Sequence, residues 1–322
     1  MGHGLGHRER VLRAIEHQDL DRVPCCFRAE ADVEARLVRE LGLSSRLDIT
    51  RFFDADTVDL NAYLEPPDLA RVETVEDVDR LSWPDRGSVD VGTYVADVRE
   101  LRGTGLAVLA GAWASIFTGP RRTMGEARYL MAMLDHPDLI ARITQRMTES
   151  YLDLNEAVFS QCADCIDVFY FGSDFGSQRS LFISRDAFAR FFEPHMTRLA
   201  QHAKGFGLKV MFHTCGAVSE IIPDLIECGI DMLDPVQVSA HGMQPEALAL
   251  DFKGRIAFHG GISTQTTLPH GTPEQVRHEV RRAIASLGPT GYICGPDQNM
   301  MADTPTGNMV AMYEAIREYA PS

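Results

Sequence analysis

Lys209-Val-Met-Phe-His-Thr-Cys215, then Ala217-Val-Ser-Glu-Ile-Ile-Pro-Asp-Leu-Ile-Glu-Cys228, then Asp231-Met-Leu-Asp234 read as strand, helix and strand. The first run is short and apolar, with the β-branched and aromatic content of a strand buried on both faces. In the second, Ile221, Ile222, Leu225 and Ile226 recur at helical spacing, and Gly229 follows as a C-terminal cap. Strands that alternate with helices build parallel sheets.

The alternation continues in both directions. Arg22–Phe27, Thr57–Leu60, Leu106–Ala110, Ile166–Phe171, Arg255–His259 and Gly291–Cys294 are further short apolar runs, which brings the expected strands to eight. Val11, Leu12 and Ile15 predict a helix over about Arg8 to Ile15, ahead of the first strand. Phe188, Phe191, Phe192, Met196 and Leu199 predict helix from Asp186 to about Ala203, kinked or split at Pro194. Thr272, Pro273 and Gln275 form a capping-box start for a helix running to Leu287. Glu65–Val98, with Pro66-Pro67 and Trp83-Pro84, is less regular and reads as an insertion after the second strand. The expectation is α/β: one (β/α)8 TIM-barrel domain over residues 1–322, with an N-terminal helical extension. An open doubly wound sheet is the alternative fold, weakened because no Gly-rich dinucleotide fingerprint follows the first strand.

Composition fits that size of core. The chain has 322 residues, 45% hydrophobic and 24% charged, with a formal net charge of −15. Such a surface disfavours nucleic acid as a partner. No apolar run approaches the roughly 20 residues that span a bilayer. The start of the chain lacks the apolar stretch of a signal peptide, so the expected compartment is the cytoplasm. The two early histidines, His3 and His7, are given no function. Seven cysteines, an odd number, argue against a disulfide framework. Cys25-Cys26, Cys162, Cys165 and Cys228 read as buried structural residues.

Barrel chemistry sits at the C-terminal ends of the strands and in the loops after them. In chain order those ends hold Arg28 and Glu30, then Asn61, then Trp113 and Ser115, then Ser173, Asp174 and Gln178. His213 and Cys215, Asp234 and Gln237, His259 with Gly260-Gly261, and Cys294 with Asp297 follow. His213-Thr-Cys215 is the sharpest feature, since residues two apart on a strand share a side. With Cys294 at another strand end, one nitrogen and two sulfurs suit zinc better than magnesium or calcium. Three ligands with an open position is the pattern of a catalytic zinc; Asp234, Gln237 or Asp174 would supply a weaker fourth.

Arg8-Glu-Arg-Val-Leu-Arg-Ala-Ile15, Asp21-Arg-Val-Pro24, Tyr170-Phe-Gly-Ser-Asp174, Ile183-Ser-Arg-Asp-Ala-Phe188 and Phe191-Phe-Glu-Pro-His195 resemble segments of the uroporphyrinogen decarboxylase superfamily. Phe212-His-Thr-Cys-Gly216 with Ile293-Cys-Gly-Pro-Asp-Gln-Asn299 resembles the His-x-Cys…Cys zinc motif of its corrinoid-linked methyltransferase branch. The resemblance covers nearly the whole chain and implies a (β/α)8 barrel. The decarboxylase branch carries an Arg-rich segment after the first strand and a Gly-His-Gly near the last. Here Phe27-Arg-Ala-Glu-Ala-Asp32 and Cys294-Gly-Pro-Asp297 stand instead. The zinc set is also similar to that of cobalamin-independent methionine synthase, where a Glu ligand occupies a place comparable to Asp234 or Gln237.

The resemblance implies a zinc-dependent enzyme moving a methyl group between a small molecule (a methyl ether, a methylated amine or a thiol) and a corrinoid. No Asp-x-His-x-x-Gly signature is present, so the corrinoid is expected on a separate partner protein. Asp174, Glu30 and His259 are the candidate catalytic residues; Arg28, Asn61, Gln178 and Gln237 are candidates for binding substrate. A metal-free porphyrinogen decarboxylase and a non-catalytic ligand-binding barrel are the rival readings. The methyl donor, the direction of transfer and the oligomeric state, a homodimer among the options, are left open.

Overall fold

Runs of buried Val, Ile, Phe and Ala produce short strands with crossover connections between them, as extended β-branched and aromatic segments do when both faces are covered. In the computed structural model, which describes residues 4–319, these strands are β1 (Thr57–Ala62), β2 (Ala107–Ala112), β3 (Val168–Gly172) and β4 (Lys209–His213). β5 (Met232–Val236), β6 (Ala257–Ile262) and β7 (Tyr292–Pro296) complete the set. The sheet follows chain order, β1 to β7. With helices on the crossovers, the fold class is the (β/α)8 barrel type read from the sequence.

The described chain divides into two compact units. One holds the residues up to Val58, Gly105–Ala107 and the residues from Met232 onward; the other holds Asp59–Thr104 and Val108–Asp231. In the first, β6 pairs in parallel with β5 and β7, with His259 opposite Ile293 and Gly260 opposite Cys294. In the second, β3 pairs in parallel with β2 and β4, and Gly172 stands opposite His213.

The expected first strand, Arg22–Phe27, forms only isolated parallel bridges, Cys25 to Cys294 and Ala29 to Met300. Pro24 is one reason, because it has no N–H to give to a ladder. The segment nonetheless takes the eighth position. The Pro24 carbonyl accepts from Cys294 N–H, Cys26 N–H donates to the Cys294 carbonyl, and the Cys25 carbonyl accepts from Asp56 N–H.

The helices agree with the sequence reading in most places. His7–Ile15 matches the N-terminal helix. Arg185–Phe191 and Glu193–Gly205 are separate helices, broken at Phe192 ahead of Pro194. Pro273–Leu287 carries the capping box between Thr272 and Gln275. Ala217–Cys228 forms only a short turn and the helix Ile222–Glu227. The expected insertion is half regular: Val91–Arg102 is a crossover helix that buries Tyr94, Val95 and Val98. Tyr94 Oη donates to the Leu60 carbonyl and accepts from Gly111 N–H, which ties β1 to β2. No helix among the described residues is long and apolar enough to cross a membrane. All seven cysteines are free thiols.

Asp56, just before β1, is fully buried and carries several partners. Its carboxylate accepts from Arg10 Nη1 at 2.7 Å, Arg22 Nη1 at 2.7 Å and Cys25 N–H at 2.9 Å, and lies 2.8 Å from His7 Nδ1. His7, assigned no role from sequence, is therefore part of this network, while His3 lies outside the described residues. Burial alone would raise the Asp56 pKa; His7, Arg22 and Arg10 outweigh it and hold it below the ordinary carboxylate value. The Arg10 hydrogen bond holds Asp21 at about 2 against an ordinary 3.8.

Replacing Asp56 with Asn strands Arg10 and Arg22, and we expect about 3–5 kcal/mol of lost stability in urea unfolding; a loss below about 1 kcal/mol would contradict that role. Because both carboxylates have depressed folded-state values, their contribution is complete above the unfolded value near 3.8. It is lost as pH falls toward about 2. Acid unfolding in that window should flatten in the Asp56→Asn variant.

Candidate metal centre

The centre begins with an absent side chain. In register across β3 and β4, a Cβ on Gly172 would lie 2.6 Å from the Cβ of His213 and 3.0 Å from the Trp113 ring. Beyond the strands, Gly216 adopts φ 90°, and a Cβ there would sit 2.3 Å from the Gly176 backbone. Both positions require glycine. The two loops therefore lie backbone to backbone, with Ala217 N–H on the Ser177 carbonyl at 2.7 Å and Gly176 N–H on the Cys215 carbonyl at 3.2 Å. Phe175 N–H donates to Thr214 Oγ1 at 3.0 Å.

That contact brings together Asp174, His213 and Cys215, each able to offer one ligand atom within 4.8 Å of the others. Cys215 Sγ is 3.3 Å from His213 Nε2, and Asp174 Oδ1 is 3.7 Å from the same nitrogen. A tetrahedral zinc with ordinary N, S and O bond lengths spaces its ligand atoms about 3.3–3.7 Å apart. The donor chemistry is compatible with zinc, and so are the two spacings measured from His213 Nε2. β4 ends at His213, so Cys215 reaches the imidazole through the loop rather than through strand alternation.

The surroundings hold these groups in place. Tyr170 Oη is 3.3 Å from His213 Nδ1, leaving Nε2 for the cluster. Cys215 N–H donates to Asp174 Oδ1 at 3.0 Å, and Asp174 N–H donates to Thr118 Oγ1 at 2.8 Å. Trp113 packs edge-on to Tyr170 with centroids 5.0 Å apart and lies 5.5 Å from the His213 ring. The His213 side chain is 12% exposed and that of Asp174 38%, so the cluster is open on its carboxylate side.

The other unit gathers three further candidates. Arg28 Nη1 donates to both oxygens of Asp234 at 2.8 and 2.9 Å, and His259 Nδ1 lies 2.6 Å from Asp234 Oδ1. All three are buried, Asp234 and His259 completely. The Asp234 carboxylate thus serves an arginine and a histidine. Cys294 lies on β7 in this unit, fully buried, and burial pushes its thiol up to about 12. Glu30 is exposed, its Oε1 accepting from Asn299 Nδ2 at 2.9 Å. Gln237 is buried and Gln178 exposed. Asn61 lies on β1 in the second unit, and its buried Oδ1 has no hydrogen-bond donor among the described residues.

Some participants had no assigned role. Tyr170 and Trp113 look like core aromatics in sequence, although Trp113 stood at a strand end. Asp297 is fully buried, accepts from Thr264 N–H and Oγ1 at 2.8 and 2.7 Å, and burial raises its pKa to about 6. Its position beside Cys294 at the end of the last strand was the available signal.

Comparison with known proteins completes the description. Residues 52–319 match the family model described as Uroporphyrinogen decarboxylase (URO-D). Uroporphyrinogen decarboxylases of two Thermus thermophilus strains are 28% identical over 204 residues, which is 63% of this chain and 54% of theirs. The chain thus spans about half the length of those curated relatives. A methyltransferase from Methanosarcina mazei superposes with a TM-score of 0.72 at 16% identity, covering 98% of this chain and 99% of its own. At that identity the likeness establishes the shared fold. On the match from residue 52 to residue 319 of 322, the chain belongs to the uroporphyrinogen decarboxylase family.

Proposed function

We propose that this chain is a zinc-dependent methyltransferase of the cytoplasm, acting as one domain. It moves a methyl group between a small molecule and a corrinoid carried by a separate protein. The carrying observation is the Asp174–His213–Cys215 cluster, whose nitrogen, sulfur and oxygen donors converge, with the sulfur and the oxygen at zinc-compatible distances from His213 Nε2. The fold shared with the Methanosarcina mazei methyltransferase supports the reading. Zinc bound there supplies Lewis acidity, lowering the pKa of a thiol or stabilising a leaving group.

The chain's own groups have separable tasks. Tyr170 fixes the imidazole of His213, and the Cys215 amide orients the Asp174 carboxylate. Trp113 excludes water from one side of the imidazole. Asp234, neutralised by Arg28, holds His259 at Nδ1 so that the opposite nitrogen can carry a proton to or from substrate. Asn61, Gln178, Gln237 and Glu30 are assigned to substrate contact, and Cys294 to a further zinc sulfur.

Metal analysis of protein purified without an affinity tag should find close to one zinc per chain. Less than about half an equivalent, once loss is ruled out, would count heavily against the reading. His213→Ala and Cys215→Ala should each abolish stable zinc retention. Asp174→Asn should weaken zinc affinity by about 10–100-fold if the carboxylate acts from outside the coordination shell, and more if it is a ligand. Cys294→Ala should lose zinc and turnover together; full activity in that variant removes Cys294 from the site.

The rivals are separated by substrate. Methyl transfer involving a Co(I) corrinoid, free or protein-bound, is expected. Metal-independent consumption of uroporphyrinogen would instead establish the decarboxylase reading. Ligand binding with neither activity would leave a non-catalytic barrel.

A further inference from the structure

The loop after β3 folds back on itself. Phe182 N–H donates to the Phe175 carbonyl at 2.8 Å, Gly176 and Leu181 pair in an antiparallel bridge, and Ser177 N–H closes the turn on the Ser180 carbonyl at 2.8 Å. The inner arm of this hairpin, Gly176-Ser177, is the backbone that lies against Cys215, Gly216 and Ala217. A hairpin this short has no core of its own and is marginal without support. Whatever holds its outer arm therefore helps to hold the spacing of the cluster.

The helix Thr118–Met124, in the loop after β2, supplies that hold. At its start Ser173 Oγ accepts from Phe117 N–H and Thr118 N–H at 3.0 and 3.2 Å, and Phe117 stacks on Phe175 with centroids 4.8 Å apart. These contacts fix the base of the hairpin. One turn on, the Arg121 guanidinium lies over the Phe117 ring at 4.8 Å and over the Phe182 ring at 4.3 Å, so it reaches from the helix to the outer arm. The Arg121 side chain is 12% exposed, and its buried Nη1 has no hydrogen-bond acceptor among the described residues. Its ion-pair partner, Glu126, stands 3.6 Å off and is 60% exposed, so that pair is largely screened. The ring faces are then the main local partners of the charge, and cation–π attraction is strongest where water is excluded. Arginine suits the place because its flat, weakly hydrated head stacks on aromatic faces.

We infer that Arg121 is a positioning residue of the metal centre: through Phe182 it clamps the hairpin 175–182, keeps Gly176 against Gly216, and so holds Asp174, His213 and Cys215 at their spacing. The inference rests on the zinc reading for what the three donors hold; the clamp itself does not. Arg121 is assigned contact with neither metal nor substrate.

Arg121→Met keeps a long apolar side chain and removes the charge. Zinc affinity of the full chain, measured by competition with a chelator, should fall about tenfold, or about 1.4 kcal/mol. In the metal-free protein the amides of Gly176 and Ala217 should exchange with deuterium about tenfold faster. Arg121→Lys, which returns a cation to the rings, should recover most of the zinc affinity. Phe182→Leu should copy the Arg121→Met loss, and the double variant should be no worse than either alone, because both changes remove one interaction. Thermal unfolding checks that each variant is folded at the temperature of the titration. A side chain that only stabilised the fold would lower the unfolding midpoint and leave zinc affinity unmoved.

Unchanged zinc affinity in folded Arg121→Met, no recovery in Arg121→Lys, or additive losses in the double variant would each overturn the inference. Zinc held equally well by the wild-type chain and by Arg121→Met removes the clamp and leaves the zinc reading standing. Faster exchange at Gly176 and Ala217 in a chain that never retains zinc removes the zinc reading and leaves the clamp.

Discussion

The backbone contact between the loops after β3 and β4 decides the site. Gly176 and Gly216 pass so close that no side chain fits between them, and Gly172 admits His213 at the same level one step earlier. Hydrogen bonds across the contact then leave the loops little freedom. Asp174, His213 and Cys215 inherit their separations from it. Donor groups that ride on flexible loops must be ordered when they bind a ligand; here much of that ordering is already built into the chain. The left-handed conformation at Gly216 is part of the cost, and it is stable because the neighbouring strands are paired in register.

Two buried ionic networks do comparable work in the first unit. Asp56 binds Arg10, Arg22 and His7 just before β1, and Asp234 binds Arg28 and His259 on β5 and β6. The first anchors the N-terminal helix and the extended segment to the start of a strand. The second lies within β5 and β6, where Asp234 and His259 are interior strand residues. Buried ion pairs contribute little net stability unless every charge is matched. Their value here is positional: Asp234 can orient His259 only because Arg28 offsets its charge in a dry interior.

Much of the fold was legible because the signals are local. β-branched and aromatic runs marked seven strands, Pro194 marked the break between two helices, and Thr272 with Gln275 marked a helix start. Arg22–Phe27 was read as a full strand because its composition allows one; Pro24 has no donor for the ladder and only isolated bridges form. The second half of the expected insertion proved to be a helix, Val91–Arg102, whose Gly92, Thr93 and β-branched valines weaken its pattern. In the site, His213 and Cys215 stood out because they are two residues apart. Asp174 was one of three fourth-ligand candidates; spacing cannot rank residues that meet through a loop crossing some forty positions. Tyr170 was invisible as a site residue, since an aromatic in an apolar run is more often core, whereas Trp113 stood among the strand-end residues without a role.

Family membership fixes the scaffold and leaves the chemistry to the residues at the strand ends. In a decarboxylase of an acidic tetrapyrrole, an arginine such as Arg28 would be needed for substrate carboxylates. Here its guanidinium holds the buried Asp234 with two hydrogen bonds. Breaking that pair to receive another anion would leave Asp234 uncompensated beside His259, a penalty of several kcal/mol by the usual cost of an unpaired buried charge, about 3–5 kcal/mol. In this chain Arg28 is therefore committed to Asp234 and, through it, to His259, rather than left open to an incoming anion.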